Sequence, residues 1–349
     1  MHFDHLPATI QLSHLAYEPK SIVIKKGMDL VIRLAPISYP LDTITVKSDP
    51  VISILEDKPL YVWDYEFYDD MLIFLAYQDM SMFKPRLILF NTEGDSIASM
   101  PVRKAQRLFK DCTDEVHLIK RDEVSQVYFD STNLHLIYTY PADMVDSILN
   151  PCIEKLGQNF YFHQYYYRNQ VLLYYYFNQV SKETTELTFI KDSLRMLHAF
   201  DEDRFASMGS YDEFDKRFVE MVIYAPLYAP LRKIDNIIYV FDFTNDLLMQ
   251  FDSSGNVSRS VELTFHHKDD WNKSILIDEK KGKVYSVFLN NGNYHLREID
   301  LKLGIAGIPI IIPNYPFIEK IKIRNGYVYF LYKEKKHYQY KKLFKMQLR

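Results

Sequence analysis

Short runs rich in Val, Ile, Leu, Tyr and Phe recur along the chain, and each is entered through a tight polar turn. Asp69-Asp70 precedes 71–77, Thr113-Asp114 precedes 116–119, and Arg168-Asn169 precedes 171–177. Asp235-Asn236 precedes 237–243, Lys281-Gly282 precedes 284–289, and Asn325-Gly326 precedes 327–332. A polar turn feeding a run of β-branched and aromatic residues reads as a hairpin whose second strand is well buried. Roughly 15–20 residues later a second signal follows, a strand ending in an apolar or aromatic residue with a turn into another strand. It is clearest at 90–95 and 251–256, where Gly94 and Gly255 supply the positive φ of the reversal, and looser at Phe129-Asp130, at 189–193, and at Ile299-Asp300 with Gly304.

The period is about 45 residues over three intervals and longer over two, near the roughly 40–50 of propeller repeats, so the unit is a four-stranded blade. The pattern therefore predicts an all-β fold, a six-bladed β-propeller of four-stranded antiparallel blades over 41–349, with a β-sandwich fragment over 1–40. The last run, 341–348, has no partner strand behind it. A ring must be closed at such a point. The strand 41–47, with alternating Ile44 and Val46, is expected to complete the sixth blade.

Two intervals carry insertions. Segment 141–157 has a helix-like stretch interrupted by Pro151. Segment 201–222 has a capping box, Ser210 with Glu213, followed by Phe214, Phe218 and Met221 on one helical face. A short amphipathic helix there needs cover for its apolar face.

Composition narrows the function classes. Aromatics make up 15% of the residues, which agrees with strands, and a net charge of -4 offers no domain-wide basic field for nucleic acid. No window is apolar enough for a membrane helix, and residues 1–25 lack the basic and apolar regions of a signal peptide. Cys112 and Cys152 have no metal-type spacing, and their state, paired or free, stays open.

Candidate chemistry is sparse. A metal-dependent hydrolase or lyase at the channel mouth would gather carboxylates and amides from several blades, and Glu66, Asp114, Asn169, Asp235 and Asn325 are available near turns. Turns demand the same residue types for their own sake. His266 and His267 are metal-capable, but on an extended chain neighbours point to opposite faces and would not share an ion. Asp201, Glu202, Asp203, Asp212 and Glu213 offer oxygen ligands to Ca²⁺ without the spacing or the central glycine of a calcium loop, and read as an exposed acidic loop. Tyr165, Tyr167, Tyr174 and Tyr176 flank one hairpin turn and are the candidate ligand-binding residues for stacking on a sugar or peptide, against the alternative of packing between blades. No nucleophile elbow, zinc-protease pair or phosphate loop occurs.

Residues 11–46, with the aromatic-Glu-Pro turn Tyr17-Glu18-Pro19, the strands 21–25 and 30–34, the Lys26-Gly27-Met28-Asp29 link and the closing 41–46, resemble the last strands of a carboxypeptidase-regulatory-like domain. That name denotes a small sandwich and implies no peptidase. The family's first strands are not matched here, which leaves open a start further upstream or a remnant over 1–40. Residues 41–349 are similar to six-bladed propellers of the NHL-like type. Together the resemblances imply a periplasmic or otherwise cell-envelope-associated protein of Gram-negative bacteria. The expected role is a non-catalytic binding or scaffold propeller that recognises a protein, peptide or glycan, with the channel-mouth enzyme as the alternative.

Overall fold

The structure, a computed structural model, describes residues 8–14, 17–25, 31–34, 51–55, 59–78, 84–91, 93–166, 169–193, 195, 227–333 and 340–349. The chain divides into two compact units, Met1–Lys47 and Ser48–Arg349. In the first unit, β1 (Ala8–His14) pairs antiparallel with β2 (Tyr17–Ile24). The strand expected at 30–34 does not form over its described part, 31–34, where Arg33 instead accepts a hydrogen bond on its carbonyl from Lys20 Nζ at 3.3 Å.

The second unit is a propeller of six four-stranded antiparallel sheets. Blade one is β4 (Leu60–Tyr68), β5 (Met71–Gln78), β6 (Pro85–Phe90) and β7 (Ser96–Pro101). Blade two is β8 (Ala105–Lys110), β9 (Val116–Lys120), β10 (Glu123–Phe129) and β11 (Leu134–Pro141), and blade three is β12 (Cys152–Leu156), β13 (Asn159–Tyr166), β14 (Val171–Asn178) and β15 (Thr184–Lys191). Blade four is β16 (Leu231–Ile234), β17 (Ile237–Asp242), β18 (Leu247–Phe251) and β19 (Val257–Glu262). Blade five is β20 (Trp271–Asp278), β21 (Lys283–Asn290), β22 (Asn293–Asp300) and β23 (Ile305–Ile311), and blade six begins with β24 (Glu319–Arg324), β25 (Tyr327–Lys333) and β26 (Lys341–Gln347).

The sixth blade is closed from the N-terminal side, as the unpartnered last run required, but by β3 (Ile52–Ser53), which pairs with Lys345 and Phe344 of β26. The strand expected to do this, 41–47, lies outside the described residues, as does the segment 201–222 with its capping box. Blade three corrects the reading of the repeat. Arg168-Asn169 leads from the second strand to the third, so its position in the blade differs from that of the other five turns. The matching first turn is Gly157-Gln158, and 189–193 marks the end of the fourth strand rather than the turn before it. The first strand β12 reads as part of an insertion because it is only five residues long, follows Pro151 and a single helical turn (Val145–Leu149), and lacks apolar–polar alternation, Glu154 and Lys155 standing next to each other.

The second strand of a blade is hydrophobic on both faces because both are covered by neighbouring blades. Along β5, Leu72, Phe74 and Ala76 pack toward blade six, while Ile73 and Leu75 pack toward blade two. Along β17, Ile238 and Val240 face blade three, and Tyr239 and Phe241 face blade five. The sequence signal of the third-to-fourth turns has an equally local cause. Asn91 Oδ1 accepts from the backbone N–H of Glu93 and Asp95 at 3.1 and 2.7 Å, and Asp252 Oδ1 does the same for Ser254 and Asn256 at 2.9 Å each. One side chain thus replaces the missing ladder bonds of each reversal.

Candidate functional site

First strands of neighbouring blades lie side by side, β4 with β8, β12 with β16 and β20 with β24, so the six first strands ring the propeller axis. Irregularities interrupt the pairing of five of them: β4, β8, β12, β20 and β24. A bulge kinks a strand and re-aims its side chains, here at the inner wall. Where these strands run into their first turns, an open cavity of about 310 Å³ is lined by residues of all six blades.

Its walls are charged with both signs. Glu66, Asp111, Asp114, Glu154 and Glu279 supply carboxylates, and Lys110, Arg232, Lys322 and Arg324 supply cations, with Phe67, Ile153 and Ile275–Ile277 as the apolar part. Most of the charges are already paired. Glu66 is bound by Lys320 at 3.0 Å and by Lys322. Burial pushes the Glu66 carboxyl up, but the two ammonium groups outweigh it and hold the group below its ordinary range. Asp64, also buried, accepts from Lys320 at 2.5 Å and from the backbone N–H of Leu108 at 2.7 Å, and so joins blades six, one and two. Lys110 pairs with Asp114 at 2.9 Å, and Arg324 donates to the Asp69 carbonyl and approaches Asp70 at 3.4 Å.

Glu154 and Arg232 differ from the rest. Among the described residues neither has an ion-pair partner within 4.0 Å, although both line the cavity. Burial raises the Glu154 carboxyl to about 7, against the pull of Arg232 and Lys233 and with a small push from Glu279. A carboxyl that titrates near neutrality beside a guanidinium can hold or release a proton and can accept a cationic ligand group, while Arg232 can bind an anionic one.

Blades two and three meet at this same mouth, where a disulfide joins Cys112 to Cys152 with their Cα atoms 5.7 Å apart. The pairing left open by the sequence is therefore settled. Beside it the buried His117 Nε2 lies 2.8 Å from Asp111 Oδ2, while Asp111 Oδ1 accepts the Thr113 and Glu115 backbone N–H bonds.

Of the five residues weighed for a metal-dependent enzyme, Glu66 and Asp114 line the cavity. Asn169 is exposed at the second turn of blade three, Asp235 packs against Gly282, and Asn325 donates its backbone N–H to Asp278 at 2.8 Å. The fold does not bring these five together. Of the candidate tyrosines, Tyr165, Tyr174 and Tyr176 sit at the junction of blades three and four. Tyr174 is buried and bonded to the Ala229 carbonyl, Tyr165 donates to Gln170 at 3.0 Å, Tyr176 packs on Tyr161 with ring centroids 5.6 Å apart, and Tyr167 lies outside the described residues. The acidic group at 201–213 is also outside them.

Sequence reasoning missed Glu154, Arg232, Lys322 and Arg324. The signal was present, because in the four blades whose first turn is two residues long the residue three places before it is charged and lines the cavity: Glu66, Glu154, Arg232 and Lys322. Only an alignment of the blades in correct register displays it, and in blade three the turn pattern of the sequence points to Arg168-Asn169 instead of Gly157-Gln158.

His266 and His267 require a correction. Phe265–His267 forms a helical turn instead of an extended segment, so the two imidazoles stand side by side with centroids 4.2 Å apart, and both face Asp246. Among the described residues this is the one group of three His, Cys, Asp or Glu whose ligand atoms lie within 4.8 Å of one another, and it is not part of the channel lining.

No helix among the described residues is long and apolar enough to cross a membrane. No protein-family model matches the sequence, and neither does any curated protein. Among solved structures the chain is similar to a luciferin-regenerating enzyme at 9% identity and TM-score 0.43, covering 86% of this chain and 95% of that one. It is similar to a member of the DUF4221 family from Bacteroides vulgatus at 10% identity and TM-score 0.43, covering 86% and 98%. The β-propeller domain of the Trilobed protease from Pyrococcus furiosus follows at 11% and 0.37, covering 83% and 93%. At such identities no activity or ligand passes from those proteins to this one, and the six closed blades themselves define the architecture.

Proposed function

We propose that this propeller is a non-catalytic binding module of the bacterial cell envelope, and that it takes a charged segment of a peptide or protein at the mouth of its central channel. The observation that carries the reading is the pair Glu154 and Arg232, opposite charges without ion-pair partners among the described residues in a cavity whose other charges are largely neutralised. Peptide carries both signs within a few ångströms, whereas a neutral glycan would call for exposed aromatic platforms, and Tyr161, Tyr165, Tyr174 and Tyr176 of blade three are occupied in packing. A disulfide is the bond expected of an oxidising compartment, which supports the envelope placement that the sequence resemblance implied.

A second reading has one observation in its favour. Glu154, raised to about 7, has the proton affinity of a general acid or base, so acid–base chemistry on a bound substrate is the alternative use of the same mouth. Thermal-shift screening of the full chain against a library of short charged peptides, followed by calorimetric titration of the hits, distinguishes them. Binding that weakens at least about tenfold in Arg232→Gln or Glu154→Gln is expected. Hits confined to neutral oligosaccharides, or peptide binding untouched by both variants, would overturn the proposal, and release of a product from the bound peptide would favour the second reading.

A further inference from the structure

The strongest unassigned feature lies away from the channel, on the connection between blades four and five. Asp246 is the last residue of a tight turn whose geometry is set by Asp242, which accepts the backbone N–H bonds of Thr244 and Asn245 at 3.0 Å each. Its φ of 59° is in the left-handed region, and its carbonyl is held by the Leu263 N–H at 2.8 Å. The carboxylate is therefore fixed in front of the helical turn that carries the histidines. Oδ1 lies 2.9 Å from His266 Nε2 and 3.2 Å from His267 Nε2.

His266 is the informative member. Its side chain is only 6% exposed, yet among the described residues neither ring nitrogen has a well-aligned hydrogen-bond partner: its polar neighbours, the Asp246 carboxylate near Nε2 and the Phe243 backbone, both lie out of line. Buried polar atoms are ordinarily satisfied, and one that is not points to a missing partner. Phe243, Phe265 and Trp271 surround the ring, with centroids 5.0, 6.1 and 5.4 Å away, so it cannot swing out to find water. His267 is largely exposed, which leaves a path for entry and room for water as a further ligand.

We infer that Asp246, His266 and His267 form a surface site for a first-row divalent metal ion of the Zn²⁺ class, which ties the blade-four turn to the linker leading into blade five. Two imidazoles and one carboxylate suit Zn²⁺ and its first-row neighbours, whereas Mg²⁺ and Ca²⁺ prefer all-oxygen shells. The aromatic shell orients the buried ligand, as outer-shell groups do at known metal centres.

The test uses the full-length oxidised chain, so that Cys112 and Cys152 cannot contribute thiolates. After chelation and dialysis, Zn²⁺ is titrated calorimetrically and Co²⁺ is added as a spectroscopic probe. One ion per chain is expected, with visible Co²⁺ bands of four- or five-coordinate intensity, and Mg²⁺ in the same titration should not bind. Because removing a buried ring risks misfolding, the variants are the exposed-side ones, His267→Ala and Asp246→Asn. Each should keep the wild-type circular dichroism spectrum and weaken Zn²⁺ at least about tenfold. Absence of one-to-one binding, equal affinity in the folded variants, or Mg²⁺ binding as well as Zn²⁺ would overturn the assignment.

Discussion

The junction between blades five and six and the junction between blades two and three do the same geometric job by different means. Between five and six, side chains from both blades, among them Val287, Leu296, Ile323, Val328 and Phe330, fuse into one buried apolar cluster. Between two and three, the described residues hold no such shared cluster. Ile119, Val124 and Val145 are buried together, but all three belong to blade two or the turn behind it. In place of a shared core stands the Cys112–Cys152 bond, with the His117–Asp111 pair of blade two beside it. Dispersion and the hydrophobic effect scale with area, so a junction with little shared apolar area needs another source of cohesion. A covalent link supplies it without closing the space beside it, and that space is the wall of the channel mouth formed by Lys110, Asp111, Cys112, Asp114, Ile153 and Glu154. The mouth proposed above as the binding site thus adjoins a junction held by a bond, with no apolar cluster shared across it among the described residues.

The contrast can be broken first at its apolar side. Phe330→Ala removes a fully buried ring from the five–six cluster and should cost about 3–5 kcal/mol in denaturant unfolding, in oxidised and reduced protein alike. Replacing both cysteines by Ser releases a cross-link between residues 40 apart, and a loss of about 2–4 kcal/mol is expected. Wild-type protein in reductant should reproduce that loss, and the double variant should not respond to reductant.

The polar side of the junction has a pH signature. Burial raises Glu154 from the ordinary 4.5 to about 7, so across that interval the folded chain keeps a proton that the unfolded chain has released. Stability should therefore fall as pH rises from about 4.5 to about 7 and stay lowered above it, by on the order of 3 kcal/mol. Glu154→Gln should abolish this slope, and unfolding curves at pH 5 and pH 8 would show it. A smaller effect, about 1–3 kcal/mol, is expected for Gly304→Ala, where φ is 71° and an added Cβ would lie 1.9 Å from the Glu262 carbonyl oxygen. That change should leave the two–three junction and the pH slope untouched.

How much of this was legible in the sequence follows from which interactions are local. Asp69-Asp70, Asp235-Asn236 and Asn325-Gly326 announce hairpins because turn chemistry is written in adjacent residues, and the double-sided burial of β5 and β17 shows as continuous apolar runs. Six blades follow from counting them. Closure by Ile52–Ser53 was harder to place, since two residues bonded to a strand almost three hundred positions away leave no local pattern. The channel lining was hidden for a related reason. Glu154 and Arg232 meet only because two first strands ring the same axis, and the short β12 that carries Glu154 looks like a polar linker. The histidine pair was misjudged through a local error, the assumption of an extended chain where Phe265–His267 is helical.

The claim that a bond substitutes for a core at one junction is tested most directly by hydrogen–deuterium exchange of the full chain with and without reductant. The account predicts that reduction speeds exchange in β8 and β12, the strands adjoining the disulfide, and leaves β21 and β25 at the five–six junction as slow as before. Exchange that rises equally in all blades, or in none, would contradict it.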